Sequence, residues 1–571
     1  MRSFVKIVLV FPLIAILAVF AWPAGLRTPS PPAIPTPSKH DSVSVHLPPA
    51  AFAALETIDP EHIRWHVRFL SLDLLEGRGT GQRGGDIAAQ YIATQFAEYG
   101  LKPAGDNGTY FQKVPLVGIT TLPATRFTLV PKKGAEMGLK PLDEYVAYDQ
   151  TQQPQSDVDA DIVYVGYGIE APEYRWDDYK GMDVHGKVLL MLVNEPLSDD
   201  PNFFKGKALT YYGRWTYKYE EAARKGAVGV ILIHKEDMAS YPWDVVRNSN
   251  SGEKSYLKLE GPALKVASWV QLDVAKKLVA ASGMNLDKLM ADANKRDFHP
   301  VILGVKLKAH MVSTVRNFES NNVVAMLPGS GRKTKDEAVM FTAHYDHLGV
   351  RPDTPGDNIY NGAVDNATGC GILLELARAF SVAHDRPGRA LIFASVTAEE
   401  QGLLGSEYLG EHPPVPAGKI ALDLNYDAVQ PIGEPQEVEV SGAERTTFYP
   451  WVQATAKEFR LAIRPDARPE AGLYYRSDHF SLARVGIPSF SINEGMKFKG
   501  HDVGWGIEQN ENYVKNHYHQ PSDEYHPEMN FIGDAAMARF GFALGWEAAG
   551  LPRLIGWQNG GEFQAARAKS Q

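Results

Sequence analysis

The stretch RALIFASVTAEEQGLLGS, residues 389–406, opens on apolar and β-branched residues, ends in two adjacent carboxylates, Glu399 and Glu400, and passes into a glycine-bearing turn. A short apolar run bounded by turn residues is the pattern of a strand buried on both faces. Two like charges after it read most simply as a solvated loop tip, since neighbouring acids are usually surface groups. The pair is therefore judged by what the rest of the chain brings to it.

NVVAML, AVMFTAHYD, KIALDLNYD and GIPSFSIN are further short β-rich runs, separated by helical segments such as GCGILLELARAFSVA and YPWVQATAKEFRLA. GDIAAQYIATQFAEYGLKP carries Ile87, Tyr91, Ile92 and Phe96 at near-helical spacing, closes at Gly100 and is stopped by Pro103, which predicts a helix with one buried face. Buried strands interleaved with helices predict an α/β fold, a mainly parallel mixed sheet covered by helices on both faces. Between about Thr151 and Ala309 the texture changes: DIVYVGYGI, GKVLLMLVNEP, KYEEAARKGAVGVILIHK and GPALKVASWV read as a smaller β-rich inserted domain, a set of strands around one helix, without the carboxylate and histidine groupings of chemistry. The expected division is 1–24 signal peptide or membrane anchor, 25–50 Pro-rich linker, 51–150 with 310–560 the main domain, and 151–309 the insert.

With 571 residues, 44% hydrophobic and 22% charged, the chain has an ordinary globular composition and length for more than one domain. A net charge of −10 gives no basic footprint, which sets nucleic acid aside as a partner. One cysteine, Cys370, excludes an internal disulfide and a thiolate zinc finger, and its setting in NATGCGILL reads as a packed thiol. At the amino end, Arg2 and Lys6 precede an apolar run from Ile7 to Trp22, shorter than the roughly 20 residues of a full transmembrane helix. This predicts a secretory signal, with cleavage after Ala21, and a periplasmic or secreted protein; the alternative is an uncleaved anchor attaching the protein to the membrane with its catalytic domain outside the cytoplasm.

The acids and histidines fall at strand ends and the loops after them. FTAHYDHLG brings His344, Asp346 and His347; NGAVDNATG brings Asp365 just before a helix; ALDLNYDAVQPIG brings Asp427; NHYHQPSDE brings His517, His519 and Asp523. In an open α/β sheet the carboxyl ends of the strands face one crevice, where residues distant in sequence converge. Two histidines with three or four carboxylates suit zinc and its neighbours, and a shared carboxylate permits two metals about 3.5–4 Å apart.

The succession AHYDH, GAVDNATG, TAEEQGLLGSEYL, NYDAVQPIG, YYRSDHFSLARVGIPSF and YHQPSDE resembles the dinuclear zinc exopeptidases, the family of bacterial leucyl aminopeptidases, glutamate carboxypeptidase and the transferrin receptor. The insert resembles their protease-associated domain, and LEGRGTGQRGGDIAAQYIATQFAEYGLKPAG extends the likeness to nearly the whole chain after the linker. The resemblance implies the zinc-exopeptidase fold and two divalent ions, zinc being the expected one. It implies Asp365 as the bridging carboxylate, Glu400 and His519 on one ion, His344 and Asp427 on the other, and Glu399 as general base. Asp423 is then structural, and His347 and His517 are bystanders. Asp346 and Asp523 would accept the second ring protons of His344 and His519. Tyr474 would stabilise the oxyanion, with Tyr475 the alternative. Ser477, Asp478 and His479 match the family's motif without forming a nucleophilic triad.

These roles make sense of the glutamate pair. Consecutive residues leaving a strand point to opposite sides, so one carboxylate can hold metal while its neighbour faces substrate. The implied reaction is peptide hydrolysis by a metal-bridging hydroxide, with Glu399 moving the proton. An aminopeptidase acting on peptide or protein N-termini is favoured, because no arginine cluster stands out as a carboxylate clamp; Glu494 and Asp502 are candidates for the free amine, Arg476 and Lys499 for a carboxylate. The alternatives are a single-zinc glutaminyl cyclase-like enzyme, a non-peptide amidase and a non-catalytic receptor-like binding protein. The sequence leaves the oligomeric state unread. Asn366 opens a formal N-glycosylation sequon, and a glycan there would block the site.

Overall fold

Every residue of the strands Ala338–His344, Ala390–Val396 and Ile420–Asn425 is buried, as their unbroken apolar character requires of strands covered on both sides. In the computed structural model, which describes residues 43, 45 and 47–571 except 197, 240, 353 and 355, these strands lie side by side. Ala338–His344 pairs in parallel with Ala390–Val396 on one flank and with Ile420–Asn425 on the other, beyond which Ser489–Ser491 is added in parallel. Val323–Leu327 then runs antiparallel to Leu391–Ser395, and Phe111–Thr121 antiparallel to the next stretch outward. Four parallel strands thus end on the same edge.

Side chains alternate across this sheet with period two. Val323, Ala325, Val339, Phe341, Leu391 and Phe393 face the larger core, built from helices Pro60–Leu70, Arg83–Glu98, Gly369–Val382 and Ile532–Gly550. Val324, Met340, Ile392 and Ala394 face the opposite core, closed by Leu409 and Leu482 of helices Leu404–Glu411 and His479–Arg484. Helix Arg83–Glu98 matches its sequence pattern: Ile92 and Phe96 are buried, Ile87 and Tyr91 partly so, and Gly100 follows at φ +75°. The mixed α/β sheet with helices on both faces is as expected.

The strand Val301–Leu327 is 27 residues long and belongs to two sheet halves. Its first half pairs antiparallel with Gln155–Tyr164 and with Arg126–Pro131. Gln155–Tyr164 is followed in parallel by Val188–Leu192, Gly229–His234 and Val266–Gln271, and Tyr145–Tyr148 closes the far edge antiparallel. Two further cores lie on its faces. This half reaches back to Arg126, ahead of the expected boundary at residue 151, because Arg126–Pro131 and Tyr145–Tyr148 find their hydrogen-bonding partners here. It also holds helices Trp215–Arg224, Leu272–Ala281 and Leu286–Ala293 and the shorter Glu236–Ala239 and Trp243–Ser249, where the sequence suggested one.

The expected signal or anchor and most of the expected linker lie outside the described residues. Among the described residues no helix is long and apolar enough to cross a membrane.

Candidate metal centre

His344 is the last residue of its strand, Glu399 and Glu400 follow the Ala390–Val396 strand, Asp427 follows Ile420–Asn425, Asp365 precedes helix Gly369–Val382, and His519 follows helix Val503–Asn516. The shared strand edge brings these six together. His344 Nε2 lies 3.4 Å from Asp365 Oδ1 and 3.2 Å from Asp427 Oδ1. His519 Nε2 lies 3.2 Å from Asp365 Oδ2 and 3.2 Å from Glu400 Oε2. Asp365 therefore stands between the two histidines and offers one oxygen to each.

The glutamates face opposite halves. Glu399 groups with His344 and Asp427, and Glu400 with His347 and Asp365, the possible ligand atoms of each group lying within 4.8 Å of one another. Asp427 is steadied by Ser477 Oγ, which donates to its Oδ2 at 2.6 Å and accepts from Asn425 Nδ2 at 2.8 Å, while Asn493 Nδ2 donates to the Asp427 carbonyl at 2.6 Å.

The charges of the group are arranged for cations. Burial would push the His344 ring down, but the charges of Asp427 and Glu399 and the hydrogen bonds to Asp365 and Asp427 hold it well above its usual value. Burial likewise opposes His519, which the hydrogen bonds to Asp365 and Glu400 raise to about 10. Burial and the charge of Asp365 would lift Glu400, yet hydrogen bonds with His347 and His519 bring it to about 2. Asp365 is held well below the carboxylate range, its burial outweighed by hydrogen bonds with His344 and His519. Glu399 goes the other way: burial, with the charges of Asp427, Glu400 and Asp478, outweighs His344 and raises it well above the range. Imidazoles that cling to protons between buried carboxylates are a donor set in which protons stand in for metal ions. Two histidines and three carboxylates fit zinc by donor type.

Several supporting residues sit differently from the reading of the sequence. His344 Nδ1 is 3.1 Å from the Asp346 backbone carbonyl and 3.8 Å from its carboxylate, so the carbonyl is the closer acceptor. The Asp346 carboxylate instead accepts from the Glu399 N–H at 3.1 Å and from Thr80 Oγ1 at 2.9 Å, and burial raises it to about 6. Asp523 does not take its bonds from His519: its two oxygens accept the Val364 and Asp365 N–H groups, each at 3.0 Å, and so shape the loop that presents Asp365. The reason is local, since His519 itself sits at φ +58° and turns the chain before Asp523.

Tyr474 is not brought to the cluster as an oxyanion donor. Its hydroxyl donates to the Ser489 carbonyl at 3.2 Å and its ring lies under Arg445, 4.2 Å from the guanidinium carbon. Tyr475 points at Glu562, 2.8 Å away. A phenol beside the cluster is Tyr518, 42% exposed and stacked on His519 with ring centroids 3.9 Å apart. Burial and the charges of Asp365, Glu400, Glu399 and Asp427 hold its hydroxyl well above the usual tyrosine value. His347 is no bystander either: it is buried with Nδ1 2.6 Å from Glu400 Oε1. The signal for both was adjacency, Tyr518 beside His519 and His347 three residues after His344 in AHYDH.

Other residues stand as read. His517 is half-buried with Nδ1 against the Ser522 carbonyl, and Asp423 is buried on Thr342. Ser477 serves Asp427, and burial first, then Arg445, lowers His479 to about 3. The Cys370 thiol is packed against the His344 carbonyl. The Asn366 amide is buried, bonded to the Tyr426 carbonyl and the Gly369 N–H, which leaves it no room for a glycan.

Residues 322–539 match the model of Peptidase family M28. Among curated proteins the chain is similar to a "Probable zinc metalloprotease" of Pyrenophora teres f. teres (strain 0-1), 39% identical over 108 residues, 19% of this chain and 22% of the relative. It is also similar to "Aminopeptidase YwaD" of Bacillus subtilis (strain 168), 29% identical over 222 residues, 38% of this chain and 42% of the relative. The chain thus matches less than half the length of either relative. A solved aminopeptidase from Aneurinibacillus sp. strain AM-1 aligns over 87% of this chain and 96% of its own, with 19% identity and a TM-score of 0.46.

Proposed function

We propose that the protein is a dinuclear zinc exopeptidase that removes residues from peptide N-termini. The observation that carries the reading is the two-sided convergence at Asp365, whose oxygens meet His344 and His519 separately. Asp365 would bridge two ions, with His344 and Asp427 completing one ligand set and Glu400 and His519 the other. When bound, such ions lower the pKa of a water and polarise a carbonyl. Glu399, whose carboxyl is raised and whose backbone N–H is fixed by Asp346, takes the proton of the attacking water and passes it to the leaving amine. Tyr518 donates its hydroxyl hydrogen to the tetrahedral oxyanion.

The amino-terminal preference is supported by what the candidate cations already do. Lys499 is paired with Glu434 at 2.9 Å and Arg476 donates to the Ala471 carbonyl at 3.0 Å, which leaves neither as a ready carboxylate clamp. Glu494, whose carboxyl burial raises to about 7, keeps Oε2 without a hydrogen-bond partner, an open acceptor for an amine. "Aminopeptidase YwaD" is named for the same activity. We read the insert expected at residues 151–309, with the strands from Arg126 that pair into it, as a protease-associated domain; Lys205 reaches Glu562 and Glu220 reaches Arg484 across to the main half. The apolar run from Ile7 to Trp22 after Arg2 and Lys6 supports reading that segment as a secretory signal or a membrane anchor, with the catalytic domain outside the cytoplasm.

Metal analysis of purified protein, run beside a panel of aminoacyl chromogenic substrates and N-blocked peptides, tests the proposal. About two zinc ions per chain and hydrolysis of free-amine substrates alone are expected. Active protein without metal, or cleavage confined to N-blocked peptides, overturns it.

A further inference from the structure

The segment LEGRGT, Leu75–Thr80, belongs to no ligand set, yet it touches the loops that carry the ligands. Arg78 is fully buried and gives its hydrogen bonds to backbone carbonyls: Nε to Tyr345 at 2.7 Å, Nη1 to Leu70 at 2.6 Å and Asn361 at 2.5 Å, Nη2 to Gly362 at 2.8 Å. Tyr345 follows His344, and Asn361 and Gly362 begin the loop that ends in Asp365. The Arg78 carbonyl in turn accepts the His347 N–H at 3.2 Å. Two residues on, Thr80 donates to Asp346, whose other oxygen holds the Glu399 N–H. One short segment thus reaches the loops of His344, His347, Asp365 and Glu399.

We propose that Arg78 is a positioning residue for the metal centre, its guanidinium fixing the loops of His344 and Asp365 at the separation the two ligand sets require. The inference rests on the reading of the cluster as a metal site. Arginine alone among side chains offers five N–H donors in a rigid fork, so it satisfies four carbonyls spread over three segments. Lysine has three donors on one atom and reaches fewer of them. The backbone supports this use: Glu76, Gly77 and Arg78 lie at φ +49°, +64° and +49°, and a Cβ on Gly77 would stand 2.4 Å from the Tyr360 carbonyl oxygen. That crowding binds the segment to Tyr360 and Gly349, on either side of the Asp365 and His347 loops.

Arg389 supplies the control. It too is buried and donates to the Ala548 and Leu551 carbonyls, but it stands at the opposite end of its strand from Glu399. Holo protein carrying Arg78→Met, Arg78→Lys, Thr80→Val or Arg389→Met is compared with wild type by chelator competition for zinc, by the visible spectrum after cobalt substitution and by thermal unfolding of the metal-free form. Arg78→Met is expected to weaken zinc binding by about 10- to 100-fold, as loss of a ligand's supporting partner does, and to change the cobalt spectrum. Arg78→Lys restores part of both. Arg389→Met lowers thermal stability and leaves affinity and spectrum at their wild-type values. Thr80→Val removes one half-buried hydroxyl and decides the matter if Arg78→Met does not fold: an altered cobalt spectrum supports the proposal. Wild-type zinc affinity and spectrum in both Arg78→Lys and Thr80→Val overturn it. Wild-type protein that takes up no zinc defeats the metal-site reading itself, and is distinguished because no substitution is involved.

Discussion

Glu399→Gln separates a base from a ligand. The substitution replaces one carboxylate oxygen by an amide nitrogen, so the side chain keeps its size beside His344 and Asp427, and the backbone N–H keeps its bond to Asp346. Loss of general-base catalysis should lower turnover by roughly 100- to 10,000-fold, which is about 2.7–5.4 kcal/mol at about 1.36 kcal/mol per decade. Both ions should stay bound. A second readout comes from the metal-free form. Burial and neighbouring carboxylates raise the folded-state pKa of Glu399 above its ordinary 4.5. The folded wild type therefore holds a proton that the unfolded chain has released, and its stability falls as pH rises past that value. Glutamine does not titrate, so metal-free Glu399→Gln should outlast metal-free wild type above pH 4.5 and converge with it below. Initial rates on the best aminoacyl substrate, elemental analysis and thermal melts on both sides of pH 4.5 cover these outcomes. Near-normal turnover, or loss of metal from Glu399→Gln, would show that the residue is not the base.

Glu400→Gln should instead lower zinc affinity, with excess zinc restoring part of the rate, as measured by metal counts and activity against zinc concentration. Tyr518→Phe should reduce kcat by about 100- to 1,000-fold with metal retained, whereas Tyr474→Phe should leave kcat unchanged and cost about 1 kcal/mol in urea unfolding. Asp523→Ala strands the buried Val364 and Asp365 N–H groups, at about 1–3 kcal/mol each, and should weaken zinc binding in the same chelator titration. Chelation should abolish hydrolysis and added zinc restore it; activity surviving full metal removal would refute the zinc mechanism.

The fold was legible because Ala338–His344, Ala390–Val396 and Ile420–Asn425 carry apolar residues on both faces, a demand that only a covered parallel sheet meets. Those strands also end at residues able to hold metal, so the convergence of His344, Glu400 and Asp427 followed from topology. What spacing does not give is the direction a side chain takes once the chain has left the strand. Asp523 follows His519 closely enough to suggest a partnership, but His519 is itself left-handed and the bonds of Asp523 go to Val364 and Asp365. Tyr474 sits in a motif with Ser477, yet Arg445 and the Ser489 carbonyl claim it. The start of the second sheet half was hidden for a related reason. Arg126–Pro131 and Tyr145–Tyr148 are ordinary edge segments in sequence, and only their distant partners, Val305–His310 and Ala267–Val270, assign them.

The strand Val301–Leu327 bears on how the molecule can deform. Fully extended, 27 residues span up to about 90 Å, and along that length one backbone is laced into both halves. A loop joining two bodies lets them swing as a door does on its pin. A ladder of hydrogen bonds resists that, and yields by small changes of twist distributed along its length, as a leaf spring does. Movement of the second half against the first should therefore be graded, with its stiffness set by the bonds from Ser313 to Val323 against Phe111–Thr121. The same continuity makes removal of the second half a surgical cut through the main sheet, so its contribution is better probed in place, residue by residue.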